Sequence, residues 1–252
     1  MLFRSPWSLG VLTVPFTVVF ILTVVNAFNF IDGVDGLAGG LALVATSTMA
    51  AASGDTSLFE VMQIVTSVLV GYLLFNLPLG FNARLRAFMG DTGSTLLGFT
   101  IAIALIDITQ PAGDRPGMSP VVGVWLVAVP VFDLFAVVGR RLLTGRSPFA
   151  ADREHLHHKL VDAGLSTREA LVVLLVLALG FTCVGVAGSA SKVSNAALIG
   201  LWFMACFSYY QLSCHAAAVV RLVRTVRLRT LGRWLGSSPS DESFPFQAAS
   251  RE

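Results

Sequence analysis

Seven stretches of mostly apolar residues, each about 20 long, follow one another along this 252-residue chain. That is the length at which a helix crosses the hydrocarbon core of a bilayer. They lie near 11–31, 37–53, 58–80, 94–110, 119–140, 169–190 and 195–218. The chain is 55% hydrophobic and only 13% charged, with a mean hydropathy of +0.76, so a soluble globular domain is excluded. The expected fold is all-α, a polytopic membrane helical bundle over 1–218, with active-site loops at 26–40, 81–94 and 140–168. A basic tail follows over 219–252. Its segment Val219 to Leu235 alternates apolar and basic residues, as an amphipathic helix lying on an anionic leaflet does; a solvated basic tail is the plainer reading. The N-terminus has no basic region followed by a small-residue cleavage site, so no cleavable signal is expected. Cys183, Cys206 and Cys214 fall inside apolar spans and read as small buried hydrophobes.

Charge sets the expected orientation. Of 17 lysines and arginines, all but Arg4, Arg115 and Lys192 follow spans 1, 3, 5 and 7. Basic loops stay in the cytoplasm, which puts the N-terminus outside and the odd-numbered loops inside.

Every candidate chemical group falls on that same side. "NAFNFIDGVDGLAGG", Asn26 to Gly40, places Asn26, Asn29, Asp32 and Asp35 at three-residue intervals where span 1 ends. Polar and ionisable groups are costly at membrane depth and mark function. "RAFMGDTGSTLLGF" carries Phe88 and Asp91 ahead of span 4, and "SPFAADREHLHHKL" carries Arg153, His155, His157 and His158 after span 5. Carboxylates and amide oxygens are hard ligands suited to magnesium, which takes one or two protein ligands and completes its shell with water and phosphates. Arginine and histidine suit a diphosphate. An aromatic such as Phe88 can stack on a nucleobase. Together these groups suggest a nucleotide-activated donor and a lipid phosphate acceptor.

Plainer readings stand beside these. Asp32, Asp35 and Asp91 could be helix caps. Phe88 could be an interfacial aromatic. The histidines resemble a zinc cluster, although no cysteine or well-spaced carboxylate completes a tetrahedral set. His215 reads as a satisfied core or interface histidine. Asp133, in "PVFDLF", is either functional or paired with an arginine inside the bundle.

These three motifs resemble the signature regions of the polyprenyl-phosphate N-acetylhexosamine-1-phosphate transferases. The resemblance runs from about residue 10 to about 190. The "DRxHxHH" form, with Asp152, Arg153, His155, His157 and His158, is similar to the GlcNAc-1-phosphate branch of that family. The resemblance implies that Asn29 and Asp91 hold magnesium, with manganese as a substitute, on the donor diphosphate, and that Phe88 stacks on uracil. It implies that Asp32 and Asp35 are the paired aspartates of the active-site loop and that His155, His157 and His158 shape the donor pocket. The resulting assignment is catalytic for Asp32, Asp35 and His155, substrate-binding for Asn26, Phe88, Arg153, His157 and His158, and metal-binding for Asn29 and Asp91. The implied partners are a UDP-sugar, a polyprenyl (undecaprenyl) phosphate and the bilayer, with a homodimer as a candidate assembly and no nucleic acid. The implied location is a bacterial inner membrane, and the implied product is the first lipid-linked intermediate of a cell-envelope glycan.

One departure stands out. The family also carries an adjacent aspartate pair upstream of the first motif, and this chain has no Asp-Asp dipeptide. The expectation is that Met1 is an internal start and that the family's first spans are missing. An inactive fragment or membrane scaffold is therefore the main alternative, and a secondary transporter using Asp32, Asp35 and Asp133 a weaker one.

Overall fold

The computed structural model describes residues 10–54, 57–77, 87–110, 117–147 and 155–221. Arg153 and residues 222–252 of the basic tail lie outside them. After a 3-10 turn at Gly10–Leu12 the chain forms α1 (Thr13–Ile31), α2 (Leu37–Ser53), α3 (Ser57–Asn76) and α4 (Gly90–Thr109). It continues as α5 (Pro120–Leu126), α6 (Ala128–Leu143), α7 (Leu156–Asp162), α8 (Thr167–Ala190) and α9 (Asn195–Cys214). Among the described residues every regular element is helical.

Among the described residues five helices are long and apolar enough to cross a membrane by themselves, and α5 with α6 form a sixth candidate bent by 74°. The chain is a multi-pass membrane protein. The second expected span, α2, has 17 residues. At about 1.5 Å per residue it measures about 25 Å, short of a hydrocarbon core of about 30 Å. Leu37, Ala38, Leu41, Ala42, Ala45 and Met49 of α2 are all buried, so it is a core helix packed mainly on α3, α4 and α8. An apolar run cannot announce whether protein or lipid surrounds it.

The bend at Val127 has an identifiable cause. Pro130, in the first turn of α6, offers no N–H to the carbonyl of Leu126 and its ring crowds that carbonyl. Trp202 of α9 donates its indole N–H to the nearby Val124 carbonyl at 3.2 Å. Beyond the bend α6 runs through the core between α1, α8 and α9. Phe132 is fully buried there, edge-on to Trp202 and Phe181.

Local signals end the other helices. Ser166 and Glu169 form a reciprocal capping box at α8, and the Ser194 hydroxyl accepts from the Ala197 N–H at α9. Cys183 and Cys214 are exposed rather than buried as expected. A thiol loses little by facing hydrocarbon, so span membership does not fix which side it takes. His215 is likewise exposed, its Nδ1 on the Gln211 carbonyl.

The contact that positions the site is between α1 and α4. At Gly98 an added Cβ would lie 2.9 Å from the Val25 Cα and 3.2 Å from the Val24 carbonyl oxygen. The two backbones meet as closely as small residues allow in membrane helix packing. One turn along each antiparallel helix, this approach brings Asn29 to Ser94. Gly98→Leu is expected to part the helices, cost about 1–3 kcal/mol and break that hydrogen bond. Melting of the variant in detergent at the parent's temperature would contradict this packing.

Candidate functional site

The site forms at one end of the bundle, where α1 stops, α3 stops, α4 starts and α7 lies across. The α1–α2 loop is tied at both ends. Asp32 is the last residue of α1's exit, and the Gly33 N–H reaches the Ile31 carbonyl at 2.8 Å. Gly36 takes a φ of +83°, which admits glycine at little cost, and its N–H donates to the Asn76 Oδ1. Asn76, nearly fully buried, passes its own amide to the Ala87 carbonyl at 2.7 Å. One side chain thus fastens the aspartate loop, the end of α3 and the approach to α4.

Asn29 has its orientation fixed by an accounting argument. The Ser94 hydroxyl donates to backbone carbonyls of its own helix, Gly90 and Asp91, at 3.2 Å. Its remaining capacity is as an acceptor, so Asn29 presents Nδ2 to it at 3.0 Å. The Asn29 Oδ1 is left for a ligand. Asp91 lies in the first turn of α4, exposed, and that helix has no side-chain cap. The residue preceding α2 is Gly36, also without a side-chain cap. None of the aspartates is therefore the N-cap residue of α2 or α4.

Asp32, Asp35 and Asp91 sit in one another's field. Burial, then the Asp91 charge, then the Asp35 charge push the Asp32 carboxyl from 3.8 up to about 6. The Tyr72 hydroxyl of α3 faces the same two charges, Asp32 and Asp35. Three carboxylates that repel one another, beside a free amide oxygen, suit a hard divalent cation, which would remove the repulsion. Among the described residues no three histidine, cysteine, aspartate or glutamate side chains are close enough to form a finished metal cage. A magnesium ion here would have few protein ligands and would need phosphates to supply the rest. This donor set does not fit a structural zinc at the histidines.

The sign of the pH dependence follows. Between 3.8 and about 6 the folded chain binds more protons at Asp32 than the unfolded chain does. Stability contributed by the protonated group is full below that window and is lost as pH rises through it. The metal-free chain should melt at lower temperature above the window than below it, and Asp32→Asn should flatten that difference. A melting temperature that rises through the window in the parent by as much as in Asp32→Asn would contradict the carboxylate repulsion.

The histidines approach the loop from the far side. Both ring nitrogens of His157 lie buried without a hydrogen-bond partner, and its ring packs against Gly33, where an added Cβ would stand 2.7 Å from Nε2. Burial, then the neighbouring His158, lowers the His157 pKa to about 4, which keeps the ring neutral near pH 7. His157 stacks on His155 at 5.6 Å and meets His158 at 4.2 Å. His155 bonds through Nδ1 to Asp133 at 2.6 Å. Asp133 therefore has a histidine partner, where an arginine was the alternative.

Of the expected site residues, Asp32 lies in the field of Asp91 and Asp35, Asn29 bonds to Ser94 one turn beyond Asp91, and His157 packs on Gly33 with His155 and His158 beside it. Phe88 is 76% exposed at the mouth of a groove of about 400 Å³ between α3 and α4, beside Tyr72 and Met89. Asn26 stands apart: its amide turns back onto the Leu22 carbonyl at 2.7 Å. Asn76, Ser94 and Tyr72 were not anticipated. Asn76 carried part of the signal of Asn29, an amide where an apolar run ends, but without neighbouring carboxylates.

Residues 1–109 match the profile of the family described as Glycosyl transferase family 4. That stretch of the chain is similar to the family. Among curated proteins it is similar to the undecaprenyl-phosphate alpha-N-acetylglucosaminyl 1-phosphate transferase of Escherichia coli K12, 36% identical over 220 residues. That match covers 86% of this chain and 59% of the relative. The protein of the same name from Yersinia pestis is 34% identical over 231 residues, 89% of this chain and 62% of the relative. The one from Haemophilus influenzae is 37% identical over 166 residues, 66% and 46%. The chain spans about three fifths of the length of the first two relatives. The family profile ends at Thr109, so it takes in the asparagine and aspartate groups, and the longer pairwise matches extend beyond it.

Proposed function

We propose that this chain takes part in a magnesium-dependent transfer of N-acetylglucosamine 1-phosphate from UDP-GlcNAc to a polyprenyl phosphate, with release of UMP. The observation that carries this reading is the meeting of Asp32, Asp35 and Asp91 at the mouth of apolar helices, with a row of histidines facing them. The sugar and the acceptor come from the names of the similar proteins.

In the reaction an oxygen of the lipid phosphate attacks the β-phosphorus of the donor. The bond from that phosphorus to the bridging oxygen breaks, and UMP leaves with the electron pair. A magnesium ion supplies charge neutralisation of the diphosphate and alignment for in-line displacement. The Asn29 Oδ1 and Asp91 are the residues to hold it, with Asp35 beside them. Asp32, whose half-burial raises its proton affinity, is the group to accept the lipid phosphate's proton. The neutral His157 and its neighbour His158 offer ring nitrogens to donor oxygens. Phe88, exposed at the groove mouth, offers its face to the base.

Orientation follows from charge. At the site's end of the bundle the described cations are Arg140, Arg141, Arg146, Lys159, Arg168 and Arg221, and at the other end the described cation is Lys192. This asymmetry supports a site open to the cytoplasm of a bacterial inner membrane. The test is transfer of label from UDP-GlcNAc to undecaprenyl phosphate in membranes containing the chain. Lipid-linked product that forms with magnesium and stops with EDTA is the expected result. Equal product with and without EDTA overturns the metal reading, and no product from folded chain overturns activity of this chain alone.

A further inference from the structure

Asp133 is 1% exposed, in the core half of α6, and all its hydrogen-bonding capacity is organised around His155. Its Oδ1 accepts from the Leu156 backbone N–H at 3.0 Å and from the Tyr209 hydroxyl of α9 at 3.1 Å. Its Oδ2 faces the His155 Nδ1 at 2.6 Å, within hydrogen-bond distance. The backbone N–H can only donate, and Tyr209, itself buried, has this carboxylate as its partner. The ring of His155 is fenced on its sides as well. Phe30 of α1 meets it edge-on at 6.3 Å, and His157 stacks on it within 15° of parallel. Three elements distant in sequence thus converge to hold one imidazole at the edge of the candidate site.

We propose that Asp133 and Tyr209 are a positioning pair for the transfer reaction: they fix His155 as the Nδ1–H tautomer, so that Nε2 faces the reacting phosphates as a proton acceptor. The inference rests on the reading of His155 as part of a phosphoglycosyl transfer site. Neither Asp133 nor Tyr209 touches substrate. A histidine's chemistry at one nitrogen is set by the hydrogen bond at the other. A carboxylate at Nδ1 also stabilises the imidazolium that forms when Nε2 takes a proton.

The geometry makes the asparagine substitution informative. In Asp133→Asn the Leu156 N–H and the Tyr209 O–H still require an oxygen at the Oδ1 position. The new NH₂ must then face His155, so Nδ1 becomes an acceptor and the proton moves to Nε2. Shape and two of three hydrogen bonds survive while the donor and acceptor roles of Nε2 reverse.

The experiment is two-bond ¹H–¹⁵N correlation spectroscopy of the full chain in detergent, ¹⁵N-labelled at histidine, with His155 assigned from its absence in His155→Gln. The parent should show His155 protonated at Nδ1 and Asp133→Asn should show it protonated at Nε2. Where transfer is measured, Asp133→Asn should lose turnover by about 10²–10⁴-fold with KM within about threefold. Tyr209→Phe should keep the tautomer and lose turnover several-fold. A parent His155 protonated at Nε2, or averaging between tautomers, overturns the proposal. So does an Asp133→Asn variant that keeps the parent tautomer, or one that loses only melting temperature and not turnover. Should Asp133→Asn not fold, the parent tautomer and Tyr209→Phe decide. The tautomer is read without turnover, so its failure is distinct from failure of the transferase reading.

Discussion

Asp91→Asn is expected to lower formation of lipid-linked sugar by on the order of 10²–10³-fold while leaving the fold unchanged. The substitution is nearly isosteric. Asp91 is exposed and its helix has no side-chain cap, so little structural support is withdrawn. What is withdrawn is one of two charges that raise Asp32. The variant's Asp32 should therefore titrate lower than the parent's, and its metal-free melting temperature should be equal or slightly higher. Loss of product with unchanged melting separates a ligand role from a structural one. Product within tenfold of the parent would place the metal elsewhere.

Gly36→Val should have the largest effect on stability. Gly36 combines a φ of +83°, a buried position and a side chain, Leu77, filling the space a Cβ would need. Valine is a poor residue for that backbone region, and its bulk must also displace Leu77. Strain and overpacking together cost on the order of 3 kcal/mol, a large part of a typical total stability of about 5–15. The change would also pull the Gly36 N–H from Asn76 and so loosen the tie to Ala87. Asn76→Ala should reproduce part of the loss, and the two should not add in a double-mutant cycle. Gly33→Ala is the contrast. Gly33 has no positive φ, and its added Cβ meets the His157 ring, so activity should fall while melting changes less. Equal melting losses for Gly33→Ala and Gly36→Val would contradict this division of labour within one loop.

The chemistry was largely visible in the sequence because polar groups at the ends of apolar runs stand out against them. Asn29, Asp32, Asp35 and Asp91 announced themselves that way, and Asp32 lies in the field of both Asp91 and Asp35. Asn26 announced itself equally but faces its own helix, since three-residue spacing does not state which face meets α4. Asn76 went unremarked because a single amide in "LLFNLP" lacks the company of neighbouring carboxylates. The role of Asp133 was open because its partners, His155 and Tyr209, are 22 and 76 residues away. Spans were legible from length and hydropathy, while the burial of α2 was not: an apolar surface suits lipid and protein core alike. The 74° bend falls inside what reads as one apolar span over 119–140.

The central claim is that Asn29, Asp32, Asp35 and Asp91 form a site for a divalent cation bound together with a nucleotide diphosphate. The most direct measurement is electron paramagnetic resonance of Mn²⁺ titrated into the purified full chain, with and without UDP-GlcNAc, beside Asp91→Asn. The account predicts that the parent binds Mn²⁺ and does so more tightly with the nucleotide present, that Mg²⁺ competes, and that Asp91→Asn loses the nucleotide-dependent gain. Mn²⁺ binding in Asp91→Asn that matches the parent under both conditions would contradict it.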